Sequence, residues 1–479
     1  MNYSQETQKY RQHEFKKGIN SEESRRKRDD TAVQIRKQKR SEILSKRRDT
    51  PLKFQKFNPA IIQGLYSDDT LCNSLKEIRK AISDNTEQTR QFVEELILTG
   101  HINKIIKCCS YVSSEIKYET AWVLTNVIAV SSPLIGPLLN NTCIIPYMIE
   151  LSSSENREIR DQALWCIGNI VGESIAYREV FVHHKIITII TQSLSLELTH
   201  TDNISKIDNQ LWTLINVLTS PTPPFSITQE VLPVLSKLLS EKFPNEIHEK
   251  AATCLHLISR KLYNDDIYTL ATFINKNILQ HLNSTSESVF IPILMTCGNI
   301  LAGNSDSVQI LLNAGILSYL ERLLCYSDTE IRKEVCWMLS NITAGTFDEI
   351  DLFLRNNFLP AVIHHLRSDV WRVRRECIYI IANIVHSNYF VHIEKVISAG
   401  AVPLLCQQLN QVSDIEITLL ILETLEKILE YFHIQKLEEN HLSDIETIEE
   451  LQYHDHDLIR QQAEKVCKYL SHNMDLDCN

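Results

Sequence analysis

A motif that recurs about every 42 residues is the feature that most limits what this chain can fold into. An aromatic residue is followed four positions later by Asn in AWVLTNVIA, ALWCIGNIV, QLWTLINVL and VCWMLSNIT, and ILMTCGNIL and CIYIIANIV are weaker copies. The aromatic residue or its substitute falls at 122, 165, 212, 256, 295, 337 and 379, which gives intervals of 43, 47, 44, 39, 42 and 42 residues. Units of this length bury their apolar surface by stacking on their neighbours.

The period predicts stacked helical units. Repeats of this length in the HEAT and armadillo class consist of two or three helices that stack into a superhelix. Gly or Pro precedes a new apolar run in LTGHINKII, LNAGILSYL, NNFLPAVI and SAGAVPLL, which suits the turn before a second helix. The run with the aromatic residue and Asn is then the third and longest helix. Only 11 Gly and 13 Pro occur in 479 residues, and this scarcity of turn residues favours an all-α solenoid.

The repeated polar and aromatic residues share one face of the third helix. With 3.6 residues per turn, Glu119, Trp122 and Asn126 lie within a stripe about 60° wide. The apolar residues that can pack in the core lie on the opposite side: Ala121, Leu124 and Ile128. A single Trp at helical spacing is usually part of the core. Because Asn follows the aromatic position six times, we interpret the stripe as a binding surface instead.

A row of Asn and Trp side chains can bind an extended basic peptide. The carboxamide has one acceptor and two donors, so it can bond the backbone of a peptide without reading its sequence. Neighbouring indoles form slots for the alkyl parts of Lys and Arg, and cation–π contact adds about 0.5 to 2 kcal/mol per residue. Glu at the margin adds Coulomb attraction, although each such Glu is also compatible with an ordinary solvated face. The candidate carboxylates are Glu119, Glu173, Glu334 and Glu376.

The charges divide the chain into a basic arm and an acidic body. Residues 1–57 hold 17 basic and 8 acidic residues, a net charge of +9, whereas the remainder holds 32 and 52, a net charge of −20. Such asymmetry is typical of an interaction arm. Thirteen Cys without a CxxC pair indicate buried, reduced thiols, and no apolar run is long enough to cross a bilayer. These features predict a soluble cytosolic or nuclear protein.

Taken together, these motifs resemble the importin alpha (karyopherin alpha) family over nearly the whole chain. The segments HEFKKG, RRKR, VQIRKQKR and SKRRD are similar to the family's importin-beta-binding domain, and IEELQYHDHDLIRQQAEKVCKYL is similar to its last armadillo unit. The resemblance implies a right-handed superhelical solenoid of about ten armadillo repeats at 58–472, between an importin-beta-binding arm at 1–57 and a short tail at 473–479. It implies a nuclear import adaptor rather than an enzyme, with no cofactor or metal.

The resemblance implies two peptide sites, a major one and a minor one. The major site matches Glu119, Trp122, Asn126, Gln162, Trp165, Asn169, Glu173, Asn209, Trp212 and Asn216, where Glu173 stands in the place of an Asp. The minor site matches Asn299, Glu334, Trp337, Asn341, Glu376 and Asn383. It also departs from the family, because His256 and Tyr379 replace Trp, Met295 replaces Arg, and Arg260 replaces Tyr. We therefore expect a weakened minor site.

The arm has two expected binding surfaces. Residues expected to bind importin beta are Arg25, Arg26, Lys27, Arg28, Arg36, Lys37, Lys39 and Arg40. A nuclear-signal mimic that would occupy the groove of its own chain consists of Lys46, Arg47 and Arg48. With few apolar residues, the arm should be disordered alone and order on binding. The family further implies basic cargo, an export receptor of the CAS type and nucleoporins as partners, and shuttling between cytoplasm and nucleus, with transient residence at the nuclear envelope and pore.

Three alternatives remain at this point. A nucleic-acid binder could use the arm as a phosphate clamp, although the acidic body would repel a polyanion. A general armadillo scaffold would be expected to have a basic groove. An enzyme finds no support, since the chain has no Gly-rich phosphate loop, nucleophile elbow or HExxH motif. His454 and His456 invite a metal site, but a solvated turn fits them better.

Overall fold

The computed structural model describes residues 59–83, 86–130, 132–199, 204–219, 221–240, 243–260, 262, 265–411, 414–435 and 445–474. The predicted arm, with its importin-beta-binding residues and the Lys46, Arg47 and Arg48 mimic, lies outside these residues. Within them every regular element is an α-helix or a short 3-10 helix, which confirms the all-α prediction. None of the described helices is long and apolar enough to cross a membrane.

The helices belong to two compact units. The first unit contains the described residues up to Leu262 together with Ser284–Ile293, and the second contains Tyr263–Asn283 and the described residues from Leu294 onward. Up to Leu262 the helices are α1 (Pro59–Gly64), α2 (Asp68–Ala81), α3 (Glu87–Leu98), α4 (His101–Lys107), α5 (Ser114–Ala129), α6 (Ile135–Asn141), α7 (Ile144–Ser152), α8 (Arg157–Glu173), α9 (Ile175–His183), α10 (Ile186–Glu197), α11 (Ile204–Leu218), α12 (Phe225–Thr228), α13 (Leu232–Ser240) and α14 (Asn245–Ser259).

Most of the later helices follow an order of two short helices and one long one. They are α15 (Asp265–Phe273), α16 (Lys276–Leu279), α17 (Glu287–Leu301), α18 (Ser305–Asn313), α19 (Ile316–Leu324), α20 (Thr329–Thr343), α21 (Phe347–Arg355), α22 (Phe358–Ser368), α23 (Trp371–His386), α24 (Phe390–Ser398), α25 (Ala401–Leu409), α26 (Ile415–Gln435), α27 (Ile445–Leu451) and α28 (Asp457–Met474). Short 3-10 helices follow α4, α12 and α16, at Cys108–Ser110, Gln229–Val231 and Gln280–Asn283.

The long helices are the third helices of the predicted repeats. They are α2, α5, α8, α11, α14, α17, α20, α23, α26 and α28, and they have 14 to 21 residues. Third helices pack on third helices: in the first unit α8 lies between α5 and α11, and in the second unit α23 lies between α20 and α26. As predicted, Ala121, Leu124 and Ile128 are fully buried.

Left-handed residues set the turn before the second helix of several repeats. Gly100, Gly315 and Gly400 have φ values of 77°, 89° and 76° at the residue before α4, α19 and α25. Glycine adopts this conformation without steric cost, which confirms the turns predicted at three of the four quoted stretches. Lys185 and Asn357 adopt it as well, with φ values of 58° and 59°. The turn at Lys185 has no glycine signal in the sequence.

An arginine near the start of the third helix donates hydrogen bonds to the preceding loop in several repeats. The Nη1 group of the arginine donates to a carbonyl six residues earlier in three repeats: Arg160 to Ser154 (2.9 Å), Arg332 to Tyr326 (2.8 Å) and Arg460 to His454 (2.7 Å). Arg332 also makes two bonds, of 2.8 and 2.9 Å, to the carboxylate of Asp369. These contacts satisfy loop carbonyls that would otherwise lack partners.

The cysteines in the described residues are free thiols. The expectation that they are buried is wrong for Cys143 and Cys325, which are exposed. The Sγ atoms of Cys336 and Cys377 lie 3.9 Å apart in the core of the second unit, in a thiol–thiol hydrogen bond and without a disulfide.

Replacing Asp369 by Asn should lower stability in a pH-dependent way. Hydrogen bonds from Arg332 lower the pKa of Asp369 from 3.8 to about 2. A carboxylate whose pKa is lowered on folding stabilises above its unfolded pKa, and this contribution is lost as the pH falls toward the folded pKa. Urea denaturation should show a loss of about 2 kcal/mol for Asp369→Asn at pH 7 and a smaller difference near pH 3. Asp455→Asn, at an exposed turn position, is the control. Equal stability of Asp369→Asn and the unmodified chain at pH 7 would refute this role.

Candidate functional site

One Asn per repeat bridges successive third helices in the first unit. Its Nδ2 group donates to a backbone carbonyl of the preceding repeat: Asn126 to Arg79 (3.3 Å), Asn169 to Thr125 (3.3 Å) and Asn216 to Gly168 (3.1 Å). The last two acceptors belong to the residue directly before the preceding Asn, so the register is constant. The Oδ1 atom of buried Asn169 has no hydrogen-bond partner. The bridge therefore uses one donor of the amide to join two repeats, a role that the sequence did not indicate.

The indoles of the first unit lie beside these amides with unequal exposure. Trp122 and Trp212 are half-buried, whereas Trp165 is only 8% exposed. The ring of Trp212 lies directly on α8, because a Cβ at Gly168 would come within 2.3 Å of its Cζ3 atom. Gly168 thus provides the floor beneath the indole of the next repeat. The glycine directly before Asn169 is the feature of the sequence that could have indicated this contact.

Trp122 already holds a cation from its own chain. The guanidinium carbon of Arg79 lies 3.9 Å from the centroid of the indole. The Nε group of Arg79 donates to Glu119 at 2.8 Å, and both side chains are buried. Glu119 is therefore neither a solvated carboxylate nor one available at the margin of a groove. The pair demonstrates, within the chain, how an indole and a carboxylate bind an arginine.

The remaining major-site residues surround α8. Gln162 donates to the hydroxyl of Thr125 at 2.8 Å, and Asn209 donates to the Oδ1 atom of Asp161 at 2.9 Å. Glu173 is exposed at the end of α8. Asp161, a half-buried carboxylate beside Asn209, is a residue that the sequence analysis did not name.

The second unit repeats part of this arrangement. Asn383 donates to the carbonyl of Ser340 at 2.9 Å, which is the residue directly before Asn341. Trp337 is half-buried above Gly298, where a Cβ would lie 2.9 Å from its Cζ3 atom. Asn299 is half-buried. The buried Nδ2 of Asn341 has no partner, so the bridge is interrupted there.

The carboxylates predicted for the minor site are buried. Glu334 is 2% exposed and Glu376 is 3% exposed, so a solvated face is excluded for both. Burial raises the pKa of Glu376 to about 8, since removing a carboxylate from water disfavours its charged form. The two groups lie close enough for the charge on Glu334 to add to this effect.

Tyr379, which stands where the family has Trp, makes its contacts within the chain. Tyr379 is 4% exposed and donates its hydroxyl to Glu416 at 2.9 Å. The guanidinium carbon of Arg375 lies 5.8 Å from the centroid of this ring. Of the other three replacements, Met295 in the second unit and His256 in the first are half-buried, and Arg260 in the first unit is buried.

No group of three His, Cys, Asp or Glu side chains with the geometry of a metal site occurs in the part of the chain that the structure describes. His454 and His456 lie in the turn before α28, where the backbone N–H of His456 donates to Nδ1 of His454 at 3.0 Å.

Comparison with known families identifies three segments of the chain. The importin beta binding domain matches residues 11–97, the HEAT repeat matches residues 144–173, and the armadillo/beta-catenin-like repeat matches residues 304–344. A solved engineered protein has the same fold, with 19% identity, a TM-score of 0.66 and coverage of 86% of this chain and 98% of that chain.

Two plant proteins are similar to this chain over most of its length. Importin subunit alpha-3 of Arabidopsis thaliana is 29% identical over 496 residues, which cover 95% of this chain and 91% of that protein. Importin subunit alpha-8 of the same plant is 29% identical over 422 residues, which cover 85% of this chain and 91% of that protein. With matches to the importin beta binding domain and the armadillo repeat and with these relatives, the chain is similar to importin alpha proteins over most of its length.

Proposed function

We propose that this protein is a nuclear import adaptor, which binds Lys/Arg-rich localisation signals of cargo and links them to importin beta. The observation that carries the proposal is the row of Asn amides that bridge third helices in one register, with indoles beside them. Such a row can hold the backbone of an extended peptide in one register. The match of residues 11–97 to the importin beta binding domain supports the second partner.

The major site in the first unit would bind the signal. Trp165 and Trp212 would contact the alkyl parts of Lys and Arg, with the Asn amides beside them. Glu173 at the open end of α8 and Asp161 beside Asn209 would attract the cations. Because Arg79 already covers one face of Trp122, we expect lysines to bind mainly beyond it, toward Trp165.

The minor site in the second unit would bind more weakly. Tyr379 gives its hydroxyl to Glu416 and lies near the cation of Arg375, so it offers less of its ring to a ligand than a free indole would. The bridge at Asn341 is also missing. We therefore expect little gain in affinity from signals with two basic clusters.

The basic arm would control access to the groove. Lys46, Arg47 and Arg48 form a signal-like triplet, and a tethered segment reaches effective concentrations in the millimolar range. Importin beta would bind Arg25–Arg28 and the basic residues at 36–40, remove the triplet from the groove and thereby favour cargo binding. The arm becomes ordered, and loses conformational entropy, only when it binds importin beta or the groove.

Shuttling between cytoplasm and nucleus follows from this role. Cargo release in the nucleus would accompany loss of importin beta. By family resemblance, an export receptor of the CAS type would then return the empty adaptor, and nucleoporins would bind it during passage through the pore. None of these steps requires chemistry by this chain, so we propose no enzymatic activity.

Neutralising the basic triplet should strengthen cargo binding. A fluorescent Lys-rich peptide is titrated by anisotropy against the full chain and against Lys46→Ala/Arg47→Ala/Arg48→Ala. We expect at least roughly tenfold tighter binding by the triple variant, because the tethered competitor is lost. The control replaces Lys9, Arg11 and Lys16 by Ala, which removes the same charge from the arm outside the triplet. Failure of both chains to bind the peptide would contradict the adaptor function.

A methyl group at Gly168 should damage the major site. The Cβ of Gly168→Ala would lie 2.3 Å from the indole of Trp212 and 2.8 Å from the hydroxyl of Thr213, so the ring must move. We expect peptide affinity to fall roughly tenfold, a loss of about 1.4 kcal/mol. Gly172→Ala on the same helix is the matched control, because its nearest neighbour, the amide of Asn216, lies at an ordinary 3.8 Å. The same anisotropy titration checks both variants, and equal affinities would exclude this role of Gly168.

A further inference from the structure

Glu376 is a buried carboxyl group, and one of its oxygens has no hydrogen-bond partner. Glu376 lies on α23, is 3% exposed, and its Oε2 atom is buried with no hydrogen-bond partner. Glu334 on α20, three residues before Trp337, is buried beside it. An unpartnered acceptor in this position has no role in packing, because burying it costs free energy that no bond returns.

The charges around Glu376 leave it only partly compensated. On its own helix the neighbour is Arg375, whose guanidinium lies over the ring of Tyr379 rather than bonded to the carboxylate. On α20 the neighbours are Lys333, which bonds Glu330 at 3.3 Å, and the like-charged Glu334. On α26, Glu416 accepts from the hydroxyl of Tyr379. Two buried acids thus lie together with no cation bound directly to Glu376.

We infer that the groove of the second unit exchanges a proton for a ligand cation, so that a Lys or Arg that binds beside Glu376 displaces the proton that this carboxyl group carries when the groove is empty. The inference rests on the proposed binding of basic peptides and adds a pH control to it. In the empty groove, burial and Glu334 keep the pKa of Glu376 near 8, so that the group is mostly protonated at pH 7. An approaching ammonium or guanidinium stabilises the carboxylate and releases the proton.

The sign of the linkage follows directly. The ligand binds the deprotonated form better, so affinity rises with pH until the pH exceeds the pKa of the empty site. Between pH 6 and pH 7 the gain should approach tenfold, because one proton is released per cation bound. Release of a proton also costs affinity at neutral pH. The proton therefore gives a second physical reason for weak binding at this site, in addition to the engaged Tyr379.

Calorimetry can count the proton. The full chain is used with Lys46, Arg47 and Arg48 replaced by Ala to remove the competitor, and with Trp165→Ala and Trp212→Ala to disable the first unit. A Lys-rich peptide is titrated at pH 7 in phosphate and in Tris, which differ in ionisation enthalpy. We expect release of close to one proton per peptide. Glu376→Gln should abolish the release and flatten the pH dependence between pH 6 and pH 8.

The control and the outcomes separate this inference from the proposed function. Glu330→Gln on the neighbouring helix α20 is the control, because Glu330 is exposed and already paired with Arg372 at 2.8 Å, and it should leave the proton count unchanged. Peptide binding without proton release, at an affinity that does not change with pH, overturns the inference and leaves the adaptor function standing. No peptide binding even when Trp165 and Trp212 are intact overturns both. Circular dichroism checks the fold of Glu376→Gln, and the pH dependence of the chain with native Glu376 tests the inference without that variant.

Discussion

The hydrogen bond from one Asn side chain to a backbone carbonyl of the preceding repeat is the interaction on which packing and binding both depend. A helical carbonyl has two lone pairs, so it can accept the amide without losing its bond within the helix. The constant offset seen at Asn169, Asn216 and Asn383 fixes how far each third helix is displaced along its neighbour. The stacking register is thereby set by one residue per repeat, and we propose that the same amides set the register of a bound peptide.

The chain satisfies some of its aromatic and acidic positions with its own cations. In the first unit Arg79 binds Trp122 and Glu119, and in the second unit Arg375 lies over Tyr379. We expect the lysines of a partner to bind at the other aromatic and acidic positions of the row. We therefore expect a body with a net charge of −20 to present a limited number of lysine sites rather than a uniform acidic surface. We also expect the first unit to bind a basic peptide better than the second.

Much of the fold could be predicted from the sequence because it depends on period and composition. The spacing of the aromatic–Asn pairs indicated the third helices, and the apolar side of α5 was correctly identified as core. Glycine before an apolar run indicated the left-handed turns at Gly100, Gly315 and Gly400. Each of these features is local, so it does not require knowledge of which residues meet across repeats.

The contacts that escaped prediction depend on the register between neighbouring helices. Nothing in the sequence says that Arg79 lies opposite Trp122, that Gly168 lies beneath Trp212, or that the amide of Asn169 bonds the carbonyl of Thr125. Burial of Glu119, Glu334 and Glu376 was missed for a related reason, since three-residue spacing from an aromatic gives the side of a helix but not the depth of the groove. The peptide-site residues themselves remain predictions until a ligand is bound.

The most direct test of the central claim is nuclear magnetic resonance of the indole N–H groups during titration with a Lys-rich peptide. The chain has five Trp, at 122, 165, 212, 337 and 371, which give five assignable signals. With the Lys46, Arg47 and Arg48 triplet replaced by Ala, the signals of Trp165 and Trp212 should shift at low peptide concentration and that of Trp337 at higher concentration. Trp371, at the start of α23 and outside the aromatic–Asn row, should not shift. Shifts confined to Trp371, or no shift at any indole, would contradict the account.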